Sequence, residues 1–273
     1  MKEPRFSAAS VRFLQTAARQ KRPEWLDKHR AEYEELIRDP LQNLARRLKK
    51  ELAPHAPGYN FPQKGIGRLK RPAGSEPNEW SAGVFRSWIH YSASVPRTSR
   101  FENNPNLYFM IDSTDPKDTV LVAGGLYMPS SKQMRALREA IAEDASAFDR
   151  LFADKAFKKC FRGGFSDERI SSRVPRGFDP SHPRMDWIRL QAFFVWRPYK
   201  KSEFKSAQFP SLVARDFRQI LRLNELLDLA IRGKLKGHTP RNVLKTQSKG
   251  LLDRLTDLGE PEPGTKPLRE MDF

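Results

Sequence analysis

The sequence predicts an α+β fold, a helical N-terminal part packed on a mostly antiparallel sheet covered by helices. Three observations lead there. Apolar residues spaced three and four apart fill blocks before residue 54 and again near 130–142 and 211–231. Period-two alternation fills the runs near 84–95, 107–111, 119–127 and 187–196. Strands and helices are segregated rather than alternating, which speaks against a doubly wound parallel sheet.

Val11 and Leu14 begin a short amphipathic helix. After Pro23, a residue suited to a first helical position, Trp25, Leu26, Tyr33, Leu36 and Ile37 keep helical spacing. A third helix follows Pro40, with Leu41, Leu44, Ala45, Leu48 and Leu52 on one stripe and Arg46, Arg47, Lys49 and Lys50 on the other. Pro54, Pro57 and Gly58 end it. The stretch 58–78 is dense in glycine and proline and reads as a long loop carrying Lys64, Arg68, Lys70 and Arg71, of a length that is often functional in a compact domain.

In the next run, Phe85, Ser87, Ile89, Tyr91, Ala93 and Val95 share one face of a strand, and Arg86, Trp88, His90 and Ser92 share the other. Residues 107–111 and 119–123 flank a polar connection with proline and aspartate where a turn needs them, which predicts a hairpin. Ser130 or Ser131 caps a helix carrying Met134, Leu137 and Ile141. Phe148, Leu151, Phe152 and Phe157 extend helical packing, 187–196 reads as a further strand, and 211–231 as a strongly apolar helix. The expected division is one α+β domain over 1–233 and an appendage over 234–273, basic and then proline-rich, either docked through Leu251, Leu252, Leu255 and Leu258 or disordered.

With 38% hydrophobic residues the chain is too apolar to be disordered, and with 30% charged residues and a mean hydropathy of −0.70 it is too polar for a membrane protein. The N-terminus lacks the apolar stretch of a secretory signal, so a soluble, cytoplasmic protein without a membrane partner is expected. The single cysteine, Cys160, can form no internal disulfide and reads as a packed or surface thiol rather than a nucleophile. Fifty Lys and Arg against 33 Asp and Glu give a net charge of +17, which favours a polyanionic partner such as nucleic acid.

Two stretches mix cations with aromatic or flexible residues. Residues 155–176 hold Lys155, Lys158, Lys159, Arg162, Arg169, Arg173 and Arg176 among Phe157, Phe161 and Phe165, and 64–71 hold Lys64, Arg68, Lys70 and Arg71. The competing reading makes the phenylalanines core and the cations a solvated rim. Catalytic patterns are sparse: the histidines are scattered, and no HExxH, G-x-S-x-G or P-loop is present, so no metal and no cofactor is expected. His182, in a proline-fixed loop with Asp179, is the best single histidine, against the reading that both simply bond local backbone. Asp149, Asp154 and Asp112 read as helix-surface and turn residues.

Glu24-Trp25, Tyr33, Asp39-Pro40, Gly124-Gly125, Tyr127, Pro129, Pro175, Gly177-Phe178-Asp179 and His182-Pro183 stand in the order and spacing of a known pattern. Over about residues 11–199 the chain resembles the bacterial and fungal family filed as domain of unknown function 2461. That family's most distinctive signature, R-x-x-R-D-x-R-F, survives only in part: Arg68 and Arg71 keep the spacing, Pro72 replaces the Asp, and Arg86 follows after an extra stretch. If the signature works through its Asp, the resemblance implies lost catalysis; if it binds anions, Arg68, Arg71 and Arg86 retain that capacity. Two readings follow. One is a basic anion- or nucleic-acid-binding module using Lys64, Arg68, Arg71, Arg86, Arg173, Arg176 and His182. The other is an enzyme acting on a phosphorylated or anionic small molecule, with Arg68, Arg71 and Arg86 clamping the anion and Arg176 and His182 completing one pocket.

Overall fold

The computed structural model describes residues 5–72, 83–97, 99, 102–114 and 119–236. The expected appendage lies, from residue 237 on, outside the described residues. Before that point Leu235 is buried and Lys236 pairs with Glu143 at 3.0 Å, so the chain stays on the body through residue 236.

Helix α1 (Ala8–Ala18) starts at Ser7, whose hydroxyl accepts from the Ala9 amide while Ser10 reaches back to the Ser7 amide. Helices α2 (Glu24–Lys28) and α3 (Arg30–Tyr33) lead into a π-helical turn, Glu34–Arg38, and then α4 (Asp39–Leu52). The sequence places a fresh helix start at Pro40, yet the backbone stays helical through it. In the π-turn the Asp39 amide bonds the Glu34 carbonyl, one residue further back than in an α-helix, and this wider turn accommodates a proline that has no N–H to give. Leu41, Leu44, Ala45, Leu48 and Leu52 form the buried stripe of α4 as their spacing requires.

The sheet has the order β1 (Trp88–Ser94), β2 (Asn106–Asp112), β3 (Thr119–Leu126), β4 (Phe193–Pro198), with every pair antiparallel. Alternation sets its faces. Ile89, Tyr91 and Ala93 of β1, with Leu107, Phe109, Ile111, Val120 and Val122, face the core. The register places Trp88, His90 and Ser92, then Tyr108 and Met110, then Leu121 and Ala123, then Trp196, on the opposite face.

Residues 60–70 are a strand in outline only. They run antiparallel to β1 and touch it at Asn60–Ser94 and Lys70–Phe85. In between, Pro62 lacks a donor, and Gly65 and Gly67 both adopt φ of 71°. The stretch instead leans on α4, where the Gln63 amide donates to the Ala45 carbonyl and the Tyr33 hydroxyl to that of Gly67. It thereby covers the exposed edge of β1 without lengthening the sheet.

Ser130 caps α5 (Ser131–Glu143), with Gln133 completing the capping box. Helices α6 (Ser146–Ala153) and α7 (Lys155–Cys160) follow. The expected strand over 187–196 is corrected at its first half: Met185–Ile188 forms a helical turn, α8, and the strand begins only at Phe193. There Trp187 packs edge-on to Phe148, Phe152 and Phe165, and this aromatic cluster outweighs the local alternation. After α9 (Lys201–Lys205), helix α10 (Phe209–Ile231) crosses the core face of β2 and β3, and α5 packs on α10 and α8. No helix among the described residues is long and apolar enough to cross a membrane.

Candidate nucleic-acid interface

The core takes the phenylalanines of the segment 155–176 and leaves its cations outside. Phe157 and Phe161 are buried, whereas Lys155, Lys158, Lys159, Arg162, Arg173 and Arg176 are exposed and make no ion pair with a described residue. Here the aromatic rings are packing, not a binding surface.

Cys160 lies in the same segment on the inner side of α7, next to Asp216. Burial, reinforced by the Asp216 carboxylate, pushes its thiol up to about 11. A thiol of that kind is inert. In the folded chain at pH 8, alkylation of Cys160 by iodoacetamide is expected to be at least ~100-fold slower than in guanidinium-unfolded protein, because the thiolate fraction falls tenfold per unit. Mass spectrometry of timed samples measures this, and equal rates would contradict the burial.

His182 is committed to structure. Its Nδ1 accepts from the Arg184 amide at 3.0 Å, so its Nε2 donates to the Ala142 carbonyl at 3.1 Å. Asp179 accepts from the Ser181 amide and hydroxyl, which holds its carboxyl below the usual range. The loop-shaping reading of both residues is the one the geometry matches. Asp149 pairs with Arg184 at 2.5 Å. Asp154 caps α7 and pairs with Arg222, whose guanidinium holds the carboxyl low.

The expected binding residues fall into two groups. Lys64, Arg68 and Arg71 lie on the segment beside β1, and Arg71 and Arg86 are brought together by backbone pairing: the Arg71 amide bonds Val84 and the Arg86 amide bonds Leu69. Arg173, Arg176 and His182 belong to the loop before α8, tied to the start of β4 by the Ile170–Leu190 bridge. Arg86 precedes β1 at one end of the sheet, and that loop meets β4 at the other. With strands ~4.8 Å apart and ~3.4 Å per residue, the two corners are about 25 Å apart. One small ligand does not span the distance between the two corners. A groove of about 260 Å3 exists elsewhere, between α5 and the end of α10, lined by Glu139, Glu143, Leu235 and Lys236. Among the described residues no cluster of three His, Cys, Asp or Glu is arranged to hold a metal ion.

Sequence reasoning set Arg86, Trp88, His90 and Ser92 on one face of β1 but missed that the outward rings continue across the sheet. Arg86 stacks over Trp88, with its guanidinium carbon 4.8 Å from the ring centroid. Trp88 lies 5.3 Å from His90, and His90 stacks on Tyr108 at 5.5 Å. In the same cross-strand row as Tyr108 come Ala123 and then Trp196, which is 37% exposed. At the far corner Tyr127, 50% exposed, packs edge-on against Phe194 while Arg169 stacks over Tyr127 at 5.0 Å. Burial, with Arg86 alongside, lowers the His90 pKa, so the ring is uncharged at neutral pH. Burial, with Asp112 nearby, pushes Tyr108 up to about 12.

These features define an α+β protein with one sheet face sealed by helices and the other carrying aromatic rings between arginines. The family model described as "Conserved hypothetical protein (DUF2461)" matches residues 9–225, and the chain belongs to that family. No curated protein and no solved structure matches it.

Proposed function

We propose that the protein is a nucleic-acid-binding module that holds its ligand chiefly through phosphate contacts. The observation that carries this reading is the set of exposed cations on 155–176, Lys155, Lys158, Lys159, Arg162, Arg173 and Arg176, which pair with no described acid. Some arginines elsewhere on the surface are matched, Arg135 with Glu139, Arg47 with Glu51 and Arg232 with Asp228, whereas these six cations are concentrated in one short segment. Cations without local partners on a chain of net charge +17 gain most from a polyanion, because each phosphate contact releases a counterion.

Filter binding of the full chain to labelled DNA tests the reading. Between about 50 and 200 mM salt the affinity is expected to fall by orders of magnitude if six or more phosphates are contacted. Replacing Lys155, Lys158 and Lys159 together by alanine removes exposed side chains, so folding should be unaffected. The slope of log affinity against log salt should become shallower by roughly 0.9 for each duplex phosphate that the variant no longer neutralises. No binding at the lowest salt would overturn the proposal.

A further inference from the structure

We propose that the open face of the sheet is a stacking platform for single-stranded nucleic acid, with bases laid on Trp88, Tyr108 and Trp196 and phosphates held by Arg86 at one corner and Arg169 at the other. The inference deepens the phosphate-binding reading above and rests on it. The rings of the face and its charge both point to this ligand.

Outward positions of a solvated antiparallel sheet ordinarily carry polar residues. Here two successive outward positions of β1, Trp88 and His90, are rings 5.3 Å apart, and Tyr108, the diagonal neighbour of His90 on β2, is a third at 5.5 Å from it. The row then crosses Ala123 to Trp196. Ala123 is the small residue of that row, and it leaves a step between two large rings into which a flat group can settle. Bases offer a π-face whatever their identity, and sheet platforms of this kind stack two or three of them.

Charge is arranged to match. Two corners of the face each carry a guanidinium stacked on a ring, Arg86 on Trp88 and Arg169 on Tyr127, while exposed Lys64, Arg68 and Lys70 run beside β1. Among the described strand residues Asp112 is the one carboxylate on this face, and its Oδ1 already accepts from the Thr114 amide at 2.9 Å. His90 is uncharged at neutral pH, so it stacks as a ring rather than acting as a cation. A duplex hides its base faces inside the stack and has nothing to lay on a flat row of rings, so the platform selects single strands.

The test uses the full chain and three labelled probes of equal length: an oligothymidylate, an oligouridylate and a duplex. Anisotropy should show both single strands binding more tightly than the duplex, and a gap between the two single strands reports whether the 2′-hydroxyl is read. Trp196→Ala should weaken single-strand binding about fivefold or more while leaving duplex binding unchanged, and Trp196→Phe should restore most of it. Tryptophan emission should be quenched by oligothymidylate, and less so in Trp196→Phe, which keeps a ring in place and so serves if the alanine variant folds poorly. Duplex and single strands binding equally, with Trp196→Ala without effect, would overturn the platform and leave the phosphate-binding module standing. Absence of any binding at low salt would overturn both. Self-association that Trp196→Ala abolishes, without single-strand preference, would assign the face to a second copy of the chain and overturn the platform.

Discussion

Asp216→Ala is expected to cost about 3–5 kcal/mol of folding stability, the penalty for removing one partner of a buried charged network. Asp216 sits in α10 at 0% exposure. The Tyr199 hydroxyl donates to its Oδ2 at 2.8 Å, and Arg215 donates to Oδ1 from Nε at 2.9 Å, with Nη2 2.8 Å away. Arg197 Nε stands 2.9 Å from Oδ2, off the line of a hydrogen bond, while its Nη2 bonds Glu203 at 2.8 Å. One carboxylate therefore ties the end of β4 to α9 and α10. Without it Arg215 loses its carboxylate partner and the buried Tyr199 hydroxyl its acceptor, while Arg197, at 17% side-chain exposure, keeps only Glu203. Asp216→Asn keeps the shape and one acceptor, so it should fall between wild type and alanine. Urea unfolding measures both; a shift under about 1 kcal/mol for the alanine variant would mean that the network relaxes freely. Since many domains are stable by only ~5–15 kcal/mol, the expected loss is a large share of the total.

That network is not legible in the sequence, and the reason applies to much of the site. Asp216 lies in a helix between Arg215 and Phe217, and nothing local distinguishes it from a solvated aspartate. Its partners Arg197 and Tyr199 come from β4 and the loop after it, which only folding brings near. By contrast, elements whose signal is local are legible. The alternation from Phe85 to Val95 gives both faces of β1 in the right phase, the Ser130 cap with Gln133 starts α5, and α10 begins at Phe209, just ahead of the expected 211. The half-strand over 187–192 fails because alternation of Ile188, Leu190 and Ala192 is also compatible with a helical turn followed by a bridge.

For the candidate site, the cations are legible in the sequence and the rings are not. The rings that neighbour cations along the chain, Phe157 and Phe161, are core. The outward rings occupy three strands, Trp88 and Tyr108 half-buried and Trp196 exposed, and only the pairing register sets Tyr108 and Trp196 in one row with His90 between Tyr108 and Trp88. A signal does exist. Trp88 and His90 stand on the polar side of the β1 alternation, where threonine or lysine would be ordinary.

Gly124→Ala is expected to approach the cost of losing Asp216, destabilising by about 3 kcal/mol or more, at the upper end of overpacking costs. In the register Gly124 stands between Leu107 and Val195 on the core face, directly beneath α10. A Cβ there would collide with the Cγ2 of Ile220 and come within 2.6 Å of the Asn106 carbonyl oxygen. Ile220 is fully buried, and that carbonyl already accepts from Asn224 of α10 at 3.0 Å, so neither neighbour has room to retreat. The helix would have to lift from β3, opening the contact that seals the core face of the sheet. Gly125→Ala should be comparably harmful for a different reason. Its φ of 121° lies where side chains are strained, and a Cβ would meet the Phe193 carbonyl of the paired strand. The two mechanisms separate in double variants. Ile220→Ala should recover part of the loss in Gly124→Ala, a coupling that appears as non-additivity in urea midpoints, and should recover none of it in Gly125→Ala. If Gly124→Ala unfolded at the wild-type midpoint, α10 could not lie as close to β3 as Ile220 and Gly124 place it.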